Sequence, residues 1–305
     1  MSQPFIRRAE LRIQQKITST STDQSGKIVE SSTTKNLLNI VADGSRENLQ
    51  ISFVINKQLV GQPNESTIEI YNLRPDTRKL LMQPKQSLRA QLFVGWSNIP
   101  MSLLADGQVL QVMPSKEGSS NKTTMTLFDG YNGISAGLLQ KVYPANTEVK
   151  TVVFDLASAM PDVQTSGSKI DIEGIFGSRG YIVNGRVAVE LDRLANCYGF
   201  SWSVQNGVFQ AIKDTRAGNT KHKVSNEAGN LFHATPQLQD KMQLQTGIEI
   251  TAFMNPKVTP GDIVQLESGF VPMYNGDYKV HTIEFNGDTS GDAWQMRIES
   301  KKFGV

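Results

Sequence analysis

Leu49-Gln50-Ile51-Ser52-Phe53-Val54-Ile55-Asn56 sets an apolar residue at every second position. Successive side chains of a strand face opposite sides, so Leu49, Ile51, Phe53 and Ile55 share one face that a core can cover. The same period runs outward along the chain. Ile68 and Ile70 alternate with Glu69 and Tyr71, Leu88, Ala90, Leu92 and Val94 repeat the pattern, and Met125 and Leu127 alternate with Thr124 and Thr126. Gly61-Gln62-Pro63-Asn64 and Glu117-Gly118-Ser119-Ser120-Asn121 read as the turns between them. Pro75, pre-set for a first helical turn and followed by Leu80 and Leu81, predicts one short helix among the strands.

Residues 19–36 break this pattern: Ser and Thr dominate, Asp23-Gln24-Ser25-Gly26 reads as a turn, and only Ile28 and Val29 are strongly apolar. Two readings fit, a surface loop or a hairpin arm that orders against a neighbouring subunit, because Thr favours strands but the arm buries little by itself.

Between 131 and 231 the period changes. Val149, Val152, Val153, Leu156, Ala157 and Met160 fall on one helical face, with Asn146-Thr147 as the expected N-cap. Val187, Leu191, Leu194, Ala195 and Tyr198 make a second stripe after Asn184, ended by Gly199. Phe200–Val204 and Val208–Ile212 then flank Asn206-Gly207, the strongest short-range hairpin signal. From 232 the period of two returns in Ile248, Ile250 and Ala252, in Tyr278 and Val280, and in Trp294, Met296 and Ile298. The expected fold is therefore mainly β with an α+β insert. Its parts are a mostly antiparallel sheet or barrel module over 1–130, an α+β domain over 131–231 and a second β module over 232–305.

The composition excludes several function classes. Hydrophobic residues at 38% and charged residues at 20% describe a folded chain, not a disordered one. A net charge of +2, from 31 basic and 29 acidic side chains, argues against a primary nucleic-acid or membrane-surface binder. No apolar run approaches the roughly 18 residues of a membrane span. The N-terminal Met1–Arg8 lacks an apolar h-region, so no secretory signal is expected. One cysteine forms no intrachain disulfide and fits folding in a reducing cytoplasm.

Reactive groups are scarce. Cys197, His222, His233 and His281 stand outside any metal-ligand spacing and outside any nucleophile motif. Cys197 reads as a small buried hydrophobe on the second helix, and His281 as a structural or surface residue on the strand face opposite Tyr278 and Val280. Asp171 and Glu173 would share a strand face as a glycosidase pair does. Glu190 and Asp192, two apart on a helix, would not face each other. Asn286–Asp292 resembles part of a calcium loop, but Arg297 stands where the closing glutamate belongs, so a tight turn is expected. Trp96, Trp202 and Trp294 read as core fillers. No catalytic, cofactor-binding or metal residue is assigned, and an enzyme is not expected.

The order of these features resembles a known family. Phe53-Val54-Ile55-Asn56 is followed by Pro63–Leu73, then by Thr77-Arg78-Lys79-Leu80-Leu81, Leu92-Phe93-Val94-Gly95-Trp96 and Leu103–Val109. Leu191-Asp192-Arg193-Leu194-Ala195 with Gly199 and Trp202, then Gly261–Leu266, Gly276–Val280, Gly287-Asp288-Thr289 and Trp294–Glu299, continue it. This is similar to the baseplate hub proteins of long-tailed bacteriophages, especially contractile-tailed ones.

The resemblance implies two tube-like barrels per chain and a homotrimer. Three chains would present a pseudo-sixfold ring, matching a sixfold tail tube or tube-initiator protein on one side and a trimeric tail spike on the other. Other baseplate (wedge) proteins would surround it, and DNA would pass the lumen without specific binding. The implied location is the virion, after assembly in the host cytoplasm. The chain is short for such hubs and shows no fused lysozyme-like or peptidase-like segment. The rival readings are a carbohydrate- or receptor-binding β-protein, which needs aromatic residues exposed in a groove, a cell-wall hydrolase, and a tube or distal tail subunit; the middle domain argues against a plain tube subunit.

Overall fold

The computed structural model describes residues 6–22, 28–43, 49–83, 87–96, 99–239 and 244–303. It is mainly β, with 58% strand against 14% helix, as the alternation predicts. Two compact units divide the chain.

The first unit gathers residues 1–54, 66–128 and 287–292. Its elements are β1 (Arg7–Thr22), β2 (Ile28–Ala42), β3 (Ile51–Gln58), β4 (Asn64–Tyr71), α1 (Pro75–Leu81), β5 (Ser87–Trp96), β6 (Ser102–Glu117) and β7 (Ser120–Asp129). The strands lie in the order β3-β4-β7-β6-β5-β1-β2, which leaves β2 at an edge. β1 pairs antiparallel with β5 from Arg7↔Trp96 to Lys16↔Ser87. Its other side pairs with β2 from Ala9↔Ala42 to Thr22↔Ile28, with a bulge after Ile13. The Ser/Thr-rich stretch is thus the far end of a long hairpin rather than a loop, because backbone pairing continues to Thr22↔Ile28. Its expected turn, Asp23–Gly26, lies outside the described residues. A second hairpin, β6 with β7, also outruns the core: the β6 side chains from Met113 on are exposed. The alternating residues Ile51, Phe53, Ile68, Ile70, Leu88, Ala90, Leu92, Met125 and Leu127 are all buried.

The second unit gathers residues 55–65, 129–286 and 293–305. It begins with the tip of the β3–β4 hairpin. Next come α2 (Tyr131–Ala136), β8 (Leu138–Tyr143), α3 (Val149–Ser158), β9 (Gln164–Asp171), β10 (Tyr181–Arg186), α4 (Val187–Tyr198), β11 (Phe200–Gln205) and β12 (Val208–Lys213). The last elements are β13 (Lys221–Ser225), β14 (Leu231–Gln239), β15 (Leu244–Phe253), β16 (Ile263–Glu267), β17 (Gly276–Asp288) and β18 (Trp294–Lys301), with a short 3-10 turn at Pro272–Tyr274.

Both predicted helices form, and both stripes are buried: Val149, Val152, Val153, Leu156 and Ala157 on α3, and Val187, Leu191 and Leu194 on α4. They pack with Phe200, Trp202, Val204, Phe209 and Ala211 into one core. Gly199 ends α4 at φ 65°, in the left-handed region where glycine is unstrained. The caps differ from expectation. Glu148 and Arg186 occupy the N-cap positions without a side-chain cap, and the Thr147 hydroxyl donates instead to Pro144 O. Asn184 lies inside β10. At the β11–β12 turn Asn206 has φ 52° and Gly207 φ 77°, the pair of positive angles a type I′ hairpin requires. β9 lies parallel to β12, so this part is a three-stranded mixed sheet under two helices.

The C-terminal strands run β14-β15-β18-β17, with β16 between β17 and a parallel β13. Among the described residues the strand order of each unit is open, with no pair that closes a barrel.

Candidate functional site

The groups that could do chemistry are dispersed. Cys197, expected inside, is exposed: α4 buries the stripe Val187, Leu191 and Leu194, and residue 197 lies off it. His233 is exposed, with Nε2 2.6 Å from the Thr235 hydroxyl. His281 is half-buried, and burial together with nearby Lys301 and Lys279 pushes its pKa down to about 4. Asp171 and Glu173 both meet Arg216, at 3.1 and 2.6 Å, and Lys213 adds a 3.1 Å contact to Glu173. These are solvated ion pairs at half-exposed side chains. Glu190 accepts the Tyr181 hydroxyl at 2.7 Å, and Asp192 accepts the Trp202 indole N–H at 2.8 Å. The Asn286–Asp292 stretch is a turn as expected: Asp288 Oδ1 accepts Ser290 and Gly291 N–H, each at 2.8 Å. Among the described residues no three His, Cys, Asp or Glu side chains converge as metal ligands. Trp202 and Trp294 are buried, as core fillers should be.

His222 does find a carboxylate, Asp262, at 3.3 Å. Asp262 also accepts Lys169 Nζ at 3.1 Å, and Thr259 N and Oγ1 at 3.0 and 2.8 Å. Burial alone would raise its pKa, but these donors outweigh burial and hold it below the usual carboxylate value. A carboxylate saturated by donors is a structural pin.

A polar seam inside the second unit was not expected. Asn64, at the hairpin tip, donates to Val204 O at 2.9 Å and accepts Gln58 N–H at 2.9 Å. Gln205 donates to Gln58 O at 2.8 Å. Asp129 accepts the backbone N–H groups of Asn206 and Gly207. Each joins a β-turn to another segment, so the residues read locally as ordinary turn chemistry.

Two buried lysines were also missed. Lys57 is 2% exposed and Lys279 1%. Desolvation pushes both down to about 8 from the ordinary 10.5. Lys57 had a signal in the sequence, because it continues the inward series Ile51, Phe53, Ile55. Lys279 had none; its neighbours Tyr278 and Val280 are buried as well, and its Nζ donates to Lys213 O at 2.9 Å.

What the surface presents instead is edges and apolar side chains. β2 is an open edge of fifteen residues. β14, at the end of its own strand order, carries Pro236 opposite Ile248, and proline is a common block to further pairing. On the two-stranded β8–β10 sheet, Val142 and Ile182 are cross-strand partners and are 70% and 63% exposed. Phe270 and Met273, between β16 and β17, are 88% and 75% exposed.

A profile of the Baseplate hub gp41 family matches residues 37–299. The chain belongs to that family. This hub also shares its fold with solved tail proteins. One is the tail protein from Neisseria meningitidis MC58, 11% identical at a TM-score of 0.60, covering 99% of this chain and 98% of the other. Another is the 43 kDa tail protein of prophage MuSo2 from Shewanella oneidensis, 11% identical at 0.56, covering 97% of both chains. A third is the E. coli c3393 protein, a type VI secretion component described as similar to T4 tail proteins gp27 and gp5. It is 8% identical at 0.59, covering 86% of the hub and 76% of its own length. At these identities the likeness is one of fold. No curated protein matches the hub in sequence. The hub is thus a phage tail baseplate component, carried in the virion, and the family is a structural one.

Proposed function

We propose that the hub acts as a homotrimeric adapter in the baseplate. Each chain supplies two tube-like β modules, residues 1–130 and 232–305, to an inner ring, with residues 131–231 outside it. Three chains give a pseudo-sixfold ring that meets the tail tube or tube-initiator protein on one side and the trimeric spike on the other. Wedge proteins pack around it, and DNA crosses the lumen. The work is done by geometry, and the hub needs no catalytic residue for it.

The observation that carries this reading is the open edge of β2. A strand of that length with one side unpaired invites pairing with another chain, and natural proteins cap or charge such edges when they are meant to stay free. β14 is blocked by Pro236 in the expected manner, whereas β2 contains no proline and only two charges, Glu30 and Lys35, over fifteen residues. A heterologous contact of that kind makes a ring when the rotation it repeats is a closed one, as threefold symmetry requires. The likeness of the E. coli c3393 protein to gp27 and gp5 supports the same reading. A near-neutral net charge suits a wall past which DNA must slide, because a strongly basic one would hold the phosphates.

Light scattering of the purified chain across a wide concentration range, followed by negative-stain imaging, tests this. Three-chain rings support the adapter. Six-chain rings replace it with a tube-type subunit, and a monomer at every concentration counts against it.

A further inference from the structure

Among the described residues Phe270 is the most exposed large apolar side chain, at 88%, and Met273 stands near it in the chain at 75% exposure. Their loop is held from within. Asn275 Oδ1 accepts Ser268 N–H at 2.7 Å and its Nδ2 donates back to Ser268 O at 3.3 Å. The Ser268 hydroxyl accepts the N–H groups of Phe270 and Val271 at 3.2 and 3.3 Å. Asn226 Oδ1 accepts Gly269 N–H at 2.8 Å, and the Tyr278 hydroxyl donates to Tyr274 O at 2.6 Å. Polar groups lock the backbone while two apolar side chains face water. A pre-organised aromatic projection is what a binding anchor needs, since little entropy remains to be lost on docking.

The first unit offers a matching groove of about 470 Å³ between α1 and β6, lined by Pro75, Arg78, Lys79, Met82, Gln83 and Pro114. That volume lies in the range that accepts compact apolar groups. Met82 is 46% exposed there, and thioethers favour aromatic partners. The charges also match. Arg78 and Lys79 give the groove a basic rim, whereas the exposed Glu227 adjoins Asn226, which holds the Phe270 loop.

We propose that Phe270 and Met273 of one hub seat in the α1 groove of a second copy of the chain. The contact is heterologous, so it propagates from copy to copy, and a rotation that closes makes it a ring. It rests on the self-association proposed above and names the side chains that provide it. One anchor is smaller than a standard interface, so it acts as a hot spot within a wider contact.

The test uses the full chain with Cys197→Ser. Phe270→Cys with Met82→Cys, mildly oxidised, is expected to give disulfide-linked chains on a non-reducing gel, with neither single variant doing so. Phe270→Asp with Met273→Asp is expected to weaken self-association roughly tenfold or more with an unchanged Tm. If the parent assembles but the cysteine pair gives no intermolecular link and the aspartate variant assembles normally, this contact is wrong and the assembly reading survives. If the parent stays monomeric throughout, both fall.

Discussion

Gly61, at the tip of the β3–β4 hairpin, lies flat against the indole of Trp202, so close that a β carbon there would overlap the ring. The hairpin tip is therefore seated on β11 by absence of a side chain, with Asn64 and Gln205 bonding on either side of the contact. Gly61→Ala should cost about 1–3 kcal/mol, the usual price of overpacking a rigid neighbour. Chemical denaturation followed by tryptophan fluorescence measures it, and an unchanged midpoint would show that the indole has room to move.

Asp129 should be as intolerant of Asn as of Ala. Its carboxylate accepts two adjacent N–H groups, at Asn206 and Gly207, and an amide would turn a donor toward one of them. Either change is expected to cost about 1–3 kcal/mol through an unsatisfied buried group. If Asp129→Asn unfolds at the parent's midpoint, the pair of bonds contributes nothing.

Acid should destabilise the hub through His281. Its folded pKa is pushed down to about 4 from 6.5, so between those values the unfolded chain binds the proton and the folded chain does not. Stability from this residue is complete above pH 6.5 and is lost as pH falls toward 4. His281→Gln should flatten that limb in a Tm-against-pH series. A limb of unchanged slope would assign the effect to other groups.

The alkaline side runs the opposite way from most proteins. Lys57 and Lys279, at about 8, release their protons well before the unfolded chain does at 10.5, so stability should rise with pH across that window. Above pH 10 the trend reverses, because burial and the carboxylates Asp155 and Glu190 hold the Tyr143 and Tyr181 hydroxyls protonated in the folded state. Replacing Lys57 with Met should flatten the rise. A Tm that falls steadily from pH 8 upward would contradict the placement of both lysines.

Replacing residues 19–36 with a short Gly-Ser link should leave the monomer's Tm nearly unchanged and impair particle assembly. Those residues extend the β1–β2 hairpin beyond the core that Leu11, Ile13 and Ile40 bury. Normal assembly of particles carrying the link would reduce the hairpin end to a surface feature.

The strands and helices were legible because their signals are local. Ile51, Phe53 and Ile55 alternate, α3 and α4 carry stripes, and Asn206-Gly207 fits one kind of turn. Cys197 was misjudged because its apolar neighbours suggested burial, whereas the helical phase turns it outward. The seam of Asn64, Gln205 and Asp129 was invisible for another reason. Each residue sits at or beside a turn, and only the fold brings Asn64 to Val204, 140 positions away. Lys279 was hidden because both faces of its strand are covered, a condition that no single segment encodes.

The bond from Ile51 N–H to the Thr289 hydroxyl, at 3.0 Å, joins positions 238 residues apart within the first unit. The Arg7 side chain likewise donates to the carbonyls of Gly291 and Asp292. During synthesis, the amino-terminal strands emerge from the ribosome long before the segment that completes their unit. The usual order, in which the first domain finishes folding while the second is still being made, is closed to this chain. Its long hairpins must wait unfinished, with an edge exposed, until translation has nearly ended.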